Sequence, residues 1–104
     1  MKLIYIKVST NKNKKLMAKF ERNNGSQVTT HFGSKGNKDY TIYYKQDPEL
    51  AKQKKESYIA RHKVNEDWND PMSAGSLAKN ILWSEPTIEE SIKKFKKILF
   101  QFHL

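Results

Sequence analysis

The 104-residue chain contains no cysteine, which excludes disulfides and thiolate-ligated metals. No apolar run approaches the ~18 residues of a membrane span. The opening MKLIYIKVST is too short in its apolar part for a secretory signal and has the wrong pattern. The expected setting is therefore intracellular, with no membrane partner. The single glycosylation match, Asn24-Gly25-Ser26, has no secretory context and calls for another reading. Arginine is nearly missing: Arg22 and Arg61 are the only two among 20 cationic side chains. That matters because arginine is the residue that contacts phosphate or guanine through two parallel hydrogen bonds.

What is present is positive charge and aromatic rings. The length suits one domain, residues 1–104, with one modest core. A net charge of +9 with low mean hydropathy leans toward disorder, but the 12% aromatic content points to a folded domain with charged edges. The same charge fits an acidic partner, of which nucleic acid is the commonest. Lysine and asparagine enrichment is also what an AT-rich genome produces by codon bias, so charge alone does not identify the partner.

Along the chain, Leu3, Tyr5 and Lys7 alternate with Ile4, Ile6 and Val8, so residues 2–9 read as a strand. Leu16, Ala18 and Phe20 alternate with Met17, Lys19 and Glu21 in a second. Asn24-Gly25 between two strand-like runs signals a hairpin, which explains the glycosylation match as a turn. Val28, Thr30 and Phe32 line one face of the returning strand. Residues 39–44, DYTIYY, read as a short fourth strand or an extended arm.

Asp47-Pro48-Glu49 is a helix start, with a capping aspartate and proline at the first helical position. This helix is expected to run to about Asn65. Asp70-Pro71 repeats the device, with Ser73 as an alternative cap, before Ala74, Leu77, Ala78, Ile81 and Leu82 at helical spacing. Thr87-Ile88-Glu89-Glu90 is a capping box opening a last helix striped by Ile88, Ile92, Phe95, Leu99 and Phe102. Strands first and helices after argue an α+β fold: a small antiparallel sheet of three, possibly four, strands, with three helices packed on one face. The expected core is Leu16, Phe20, Phe32, Tyr58, Leu77, Ile81, Trp83, Ile92, Phe95 and Leu99.

The nearest approach to chemistry is Arg61, His62, Glu66, Asp67 and Asp70. His62 and Glu66 lie four apart on a helix face, a spacing that can orient a base or contribute to a metal site. A metal needs three or more ligands, and neither His31 nor His103 is tied to the pair by spacing. Residues 66–71 then read as a structural corner around Trp68, with Asp70 capping the next helix. Gly33-Ser34-Lys35-Gly36 matches neither phosphate-loop nor dinucleotide patterns and reads as a turn whose amides and Lys35 can still meet a phosphate. No cofactor motif or small-molecule site is evident.

Of the basic runs, Lys52 to Lys55 and Lys93 to Lys97 alternate with glutamates as ordinary helix surface. Lys12, Lys14 and Lys15 at a hairpin tip have no acidic neighbours in sequence, and are the best candidates for phosphate contact. Lys35, Lys38 and Arg61 complete the nucleic-acid-binding set.

Phe32-Gly33-Ser34-Lys35-Gly36, Asp39-Tyr40-Thr41, Tyr58 to His62, Glu66 to Pro71, and Ser73-Ala74-Gly75 through Trp83 form an ordered string of motifs. In it the chain resembles a family of small basic proteins of unknown function encoded by nucleocytoplasmic large DNA viruses such as mimiviruses and chloroviruses. The resemblance runs from Lys15 to Phe102, with Tyr43 to Gln46 as a departure. It marks Phe32, Gly33, Gly36, Asp39, His62, Glu66, Trp68, Asp70, Pro71, Gly75 and Trp83 as structural motif residues. It implies an infected host cell, in its cytoplasm or viral factory, or a virion, with viral or host proteins as further partners, and it supplies no reaction.

The expected function is a non-enzymatic accessory or virion protein binding nucleic acid, or another acidic surface, without sequence specificity. The alternatives are a protein-interaction or capsid module with incidental charge, and a small metal-dependent or hydrolytic enzyme centred on His62 and Glu66. The first is favoured if cations from different elements meet on one face.

Overall fold

The computed structural model describes residues 1–64, 66 and 68–101. Strands β1 (Lys2–Val8), β2 (Lys14–Glu21) and β3 (Gln27–Ser34) form an antiparallel sheet in the order β1-β2-β3. The β2–β3 register pairs Leu16 with Phe32, Ala18 with Thr30 and Phe20 with Val28, so one apolar face runs across both strands. Their turn closes with Gly25 donating to the carbonyl of Arg22 at 2.9 Å, and Gly25 at φ +87° takes the left-handed conformation that a glycine after this turn supplies.

Strand β1 departs from simple alternation. Its register shifts between Leu3 and Tyr5, leaving Ile4 as the extra residue of a bulge. The shift lets both Leu3 and Ile6 pack against the core. Tyr5 instead lies under the ammonium groups of Lys7 and Lys19, 4.5 and 5.9 Å from its ring centre.

Four helices follow: α1 (Tyr40–Gln46), α2 (Pro48–His62), α3 (Ala74–Leu77) and α4 (Ile88–Gln101). The residues expected to form a fourth strand are instead α1. Their β-branched and aromatic side chains favour a strand, but Asp39 accepts hydrogen bonds from the backbone of Thr41 (3.0 Å) and Ile42 (3.3 Å), which starts a helix. Asp47 then caps α2 through Glu49 and Leu50. Helix α2 ends at His62, short of the expected end at Asn65, which lies outside the described residues.

Asp70 is not the cap of α3. Ser73 is, with its hydroxyl accepting from the backbone of Ser76 at 3.1 Å, while Asp70 accepts from the amide of Met72 two residues on. Asp70 instead closes the turn before the helix, its carbonyl accepting from the Ser73 amide (3.1 Å) and hydroxyl (2.9 Å). Helix α3 continues through a π-helical turn, Ala78–Leu82, and the chain leaves it at Trp83. Thr87 caps α4 as expected, its hydroxyl accepting from the Glu90 amide at 3.1 Å. The Glu90 carboxylate accepts from that hydroxyl, also at 3.1 Å, in place of the Thr87 amide of a full capping box.

The core joins Ala18, Phe20 and Phe32 of the sheet to Leu77, Ile81, Leu82, Phe95 and Leu99. Phe20 and Phe95 meet edge to face at 6.4 Å. Leu16, Trp83 and Ile92 pack at its border, and Tyr58 is buried apart from it. Phe102 lies outside the described residues. Helices α1 and α2 pair with each other and join this body through Tyr58 stacked on Trp83, Lys55 donating to the Ser84 carbonyl (2.8 Å), and Lys15 bound to Asp39.

Candidate functional site

Between α2 and the Lys14–Ser34 end of the sheet lies an open cleft of about 530 Å³. Its aromatic wall arises from helix spacing. Tyr58 and His62 are four apart on α2, so their rings stack at 4.1 Å. Trp83, released by the end of the π-helical turn, stacks on the other side of Tyr58 at 4.5 Å with planes 8° apart. Tyr43 leans on Trp83 at 6.3 Å, with Lys38 and Lys54 each 5.7 Å from its ring centre.

Burial, first, and then the Glu66 carboxylate push the Tyr58 hydroxyl up to about 12, with Arg61 opposing. The phenol therefore stays neutral across the physiological range, and the wall holds no anion of its own.

The cations come from separate elements. Lys14 and Lys15 come from β2, Lys38 from the loop before α1, and Lys54 and Arg61 from α2. They differ in freedom. The Lys15 ammonium is 2.8 Å from Asp39, whose side chain is 5% exposed. Beside this pair, Gly33 at φ +78° lets Leu82 pack close to β3, since a Cβ there would fall 2.6 Å from the Leu82 side chain. Lys15, expected to be unpaired because it has no acidic neighbour in sequence, is thus paired with an aspartate 24 residues away.

Glu66 brings a carboxylate into the cleft. One oxygen is 3.5 Å from His62 Nδ1, and the carboxylate rests against Gly75, where a Cβ would fall 2.0 Å from the other oxygen. Among the described residues, no group of three or more histidines and carboxylates stands close enough to hold a metal ion.

The cleft thus gathers Lys14, Lys15, Lys38 and Arg61 of the expected nucleic-acid set, while Lys12 and Lys35 are exposed outside it. Of the motif residues, Gly33, Gly36, Asp39, His62, Glu66, Gly75 and Trp83 line it and Phe32 is core. Trp68, Asp70 and Pro71 stand apart; Lys79 lies 4.6 Å from the Trp68 ring centre. Asp67 and His103 lie outside the described residues. Lys54, Tyr43 and Tyr58 were missed from sequence. A signal existed for two of them: Lys54, Tyr58 and Arg61 follow i, i+4, i+7 along α2, one helix face. Comparison with protein-family models, curated proteins and solved structures finds no match.

Proposed function

We propose that this chain is a non-enzymatic nucleic-acid-binding protein that holds the phosphate backbone in the cleft between α2 and the end of the sheet. The observation that supports it most is the meeting of cations from β2, the loop before α1 and α2 around one aromatic-walled cleft. Their placement on three elements around one wall distinguishes these cations from those of α4 that lie outside the cleft. Lys14, Lys38, Lys54 and Arg61 carry the contact; Lys15 is committed to Asp39. Lysine meets phosphate as a point charge, so the backbone contact carries little sequence information. By its resemblance to the viral family, the protein serves as an accessory or virion component in an infected cell.

Retention on immobilised DNA across a salt series tests this. Substituting Lys38, Lys54 and Arg61 together with Gln should lower affinity and reduce the salt slope by roughly 2–3 units if each meets a phosphate. Substituting Lys93, Lys96 and Lys97 of α4, which do not line the cleft, should change it far less. No retention of the wild-type protein even at low salt would refute the reading.

A further inference from the structure

A carboxylate in a cleft built for phosphate needs a purpose, because it repels the backbone that the lysines attract. Asp39 is explained by Lys15. Glu66 is different: its side chain is 34% exposed to the cleft, and its partner is the partly exposed ring of His62. Two features hold it there, the His62 contact at 3.5 Å and the missing side chain at Gly75. His62 also ends the ring stack on Tyr58 and Trp83 and is 37% exposed, so a flat ring can extend the stack beside the carboxylate.

A ligand of this cleft must therefore carry negative charge for the lysines and hydrogen-bond donors for Glu66. In nucleic acid the donors that can meet both oxygens of a carboxylate are base amino and imino groups, since a ribose 2′-hydroxyl offers only one. In a duplex the Watson–Crick edges of the bases are occupied, so only an unpaired base can present two adjacent donors to one carboxylate. We infer that the cleft takes single-stranded nucleic acid with one unpaired base against the His62 ring, and that Glu66 reads that base, favouring guanine.

Guanine presents an imino N–H beside an amino group, two adjacent donors that match the two oxygens of a carboxylate, which only accepts. Adenine and cytosine offer one amino group beside a ring acceptor, which repels the second oxygen. Thymine and uracil offer one imino group between two carbonyls. The inference rests on the cleft being the nucleic-acid site and adds strand class and base preference to it.

Fluorescence anisotropy with short oligothymidylates carrying one central guanine, inosine, adenine, cytosine or thymine tests it, with a duplex of equal length alongside. The wild-type protein should prefer the guanine strand to the all-thymine strand by about tenfold. Inosine, which lacks the amino group, should fall between them, and the duplex should bind more weakly than the single strands. Glu66→Gln, which replaces one acceptor by a donor, should abolish the preference while keeping or raising affinity for thymine strands. Gly75→Ala should do the same by displacing the carboxylate, since the end of a flexible side chain can give way without unfolding α3. Equal, salt-dependent binding of all strands and of the duplex would overturn this inference and leave the phosphate reading standing. A guanine preference that survives Glu66→Gln would overturn it too, and no binding of any strand would remove both readings.

Discussion

Lys14 and Lys15 are neighbours in sequence, yet their substitution should have opposite consequences. Lys15→Met removes the ammonium that lies 2.8 Å from Asp39, while a methionine still fills the space of the aliphatic stem. Breaking a fully buried pair by removing one partner costs about 3–5 kcal/mol, because a charge is left without compensation, whereas an exposed pair is worth about 0–1 kcal/mol. Here the Asp39 side chain is 5% exposed and that of Lys15 18%, which places the pair near the buried limit. Asp39 keeps hydrogen bonds from the Thr41 amide, the Thr41 hydroxyl and the Ile42 amide, which moderates the loss. The expected cost is ~2–3 kcal/mol, a fall in Tm of roughly 10–15 °C for a domain of this size. Urea unfolding followed by tryptophan fluorescence should show a lower midpoint at unchanged slope. Lys12→Met, at an exposed turn position, should stay within about 0.5 kcal/mol of wild type. If Lys15→Met is as stable as Lys12→Met, Lys15 does not hold the fold and belongs with the binding lysines.

Two further perturbations test the local chemistry. Ser73→Ala should cost ~0.5–2 kcal/mol, since it removes the hydroxyl that accepts from Ser76 at the start of α3. Asp70→Ala should cost less in the same unfolding measurement, because it loses only a local turn contact with Met72. For Tyr58, the folded pKa is raised from 10.0 to about 12, so the folded state holds its proton more tightly than the unfolded chain. The stability this contributes is complete below pH 10.0 and is lost as pH rises from there through about 12. Alkaline unfolding profiles of Tyr58→Phe should lack this decline, and absorbance titration should lose a tyrosine from the late-titrating end.

Elements set by neighbours in sequence could be read in advance. Asn24-Gly25 turns β2 into β3 through the conformational freedom of one glycine, and Thr87 with Glu90 starts α4 from four consecutive residues. The α+β order and most of the core follow from periodicity alone. Helix α1 was hidden because the residues Tyr40 to Tyr44 favour strands, and the lysine that secures its cap belongs to β2. The bulge at Ile4 was hidden because apolar residues alternate on both sides of it. The cleft was legible only in part, since spacing along α2 aligns Lys54, Tyr58 and Arg61 but cannot show that Trp83 and Lys14 face them. Charge neighbours in sequence misled at Lys15, whose acidic partner is supplied by the fold.

This separation of lysines bears on the origin of the charge. Codon bias enriches lysine without regard to where the fold places it, and it accounts for lysines spread over the exposed side of α4 as readily as any function does. It does not account for like charges brought from β2, the loop before α1 and α2 into one cleft, where their mutual repulsion opposes folding. Nor does it account for Glu66 being held among them with room left at Gly75. Where one carboxylate neutralises one lysine, as Asp39 does Lys15, the pair stabilises the fold. The cleft carries more positive charge than its two carboxylates balance, so it stabilises the fold less than a neutral wall would and suits an anion from outside. The proposal of a nucleic-acid partner therefore rests on the placement of a few cations and not on the total charge of the chain.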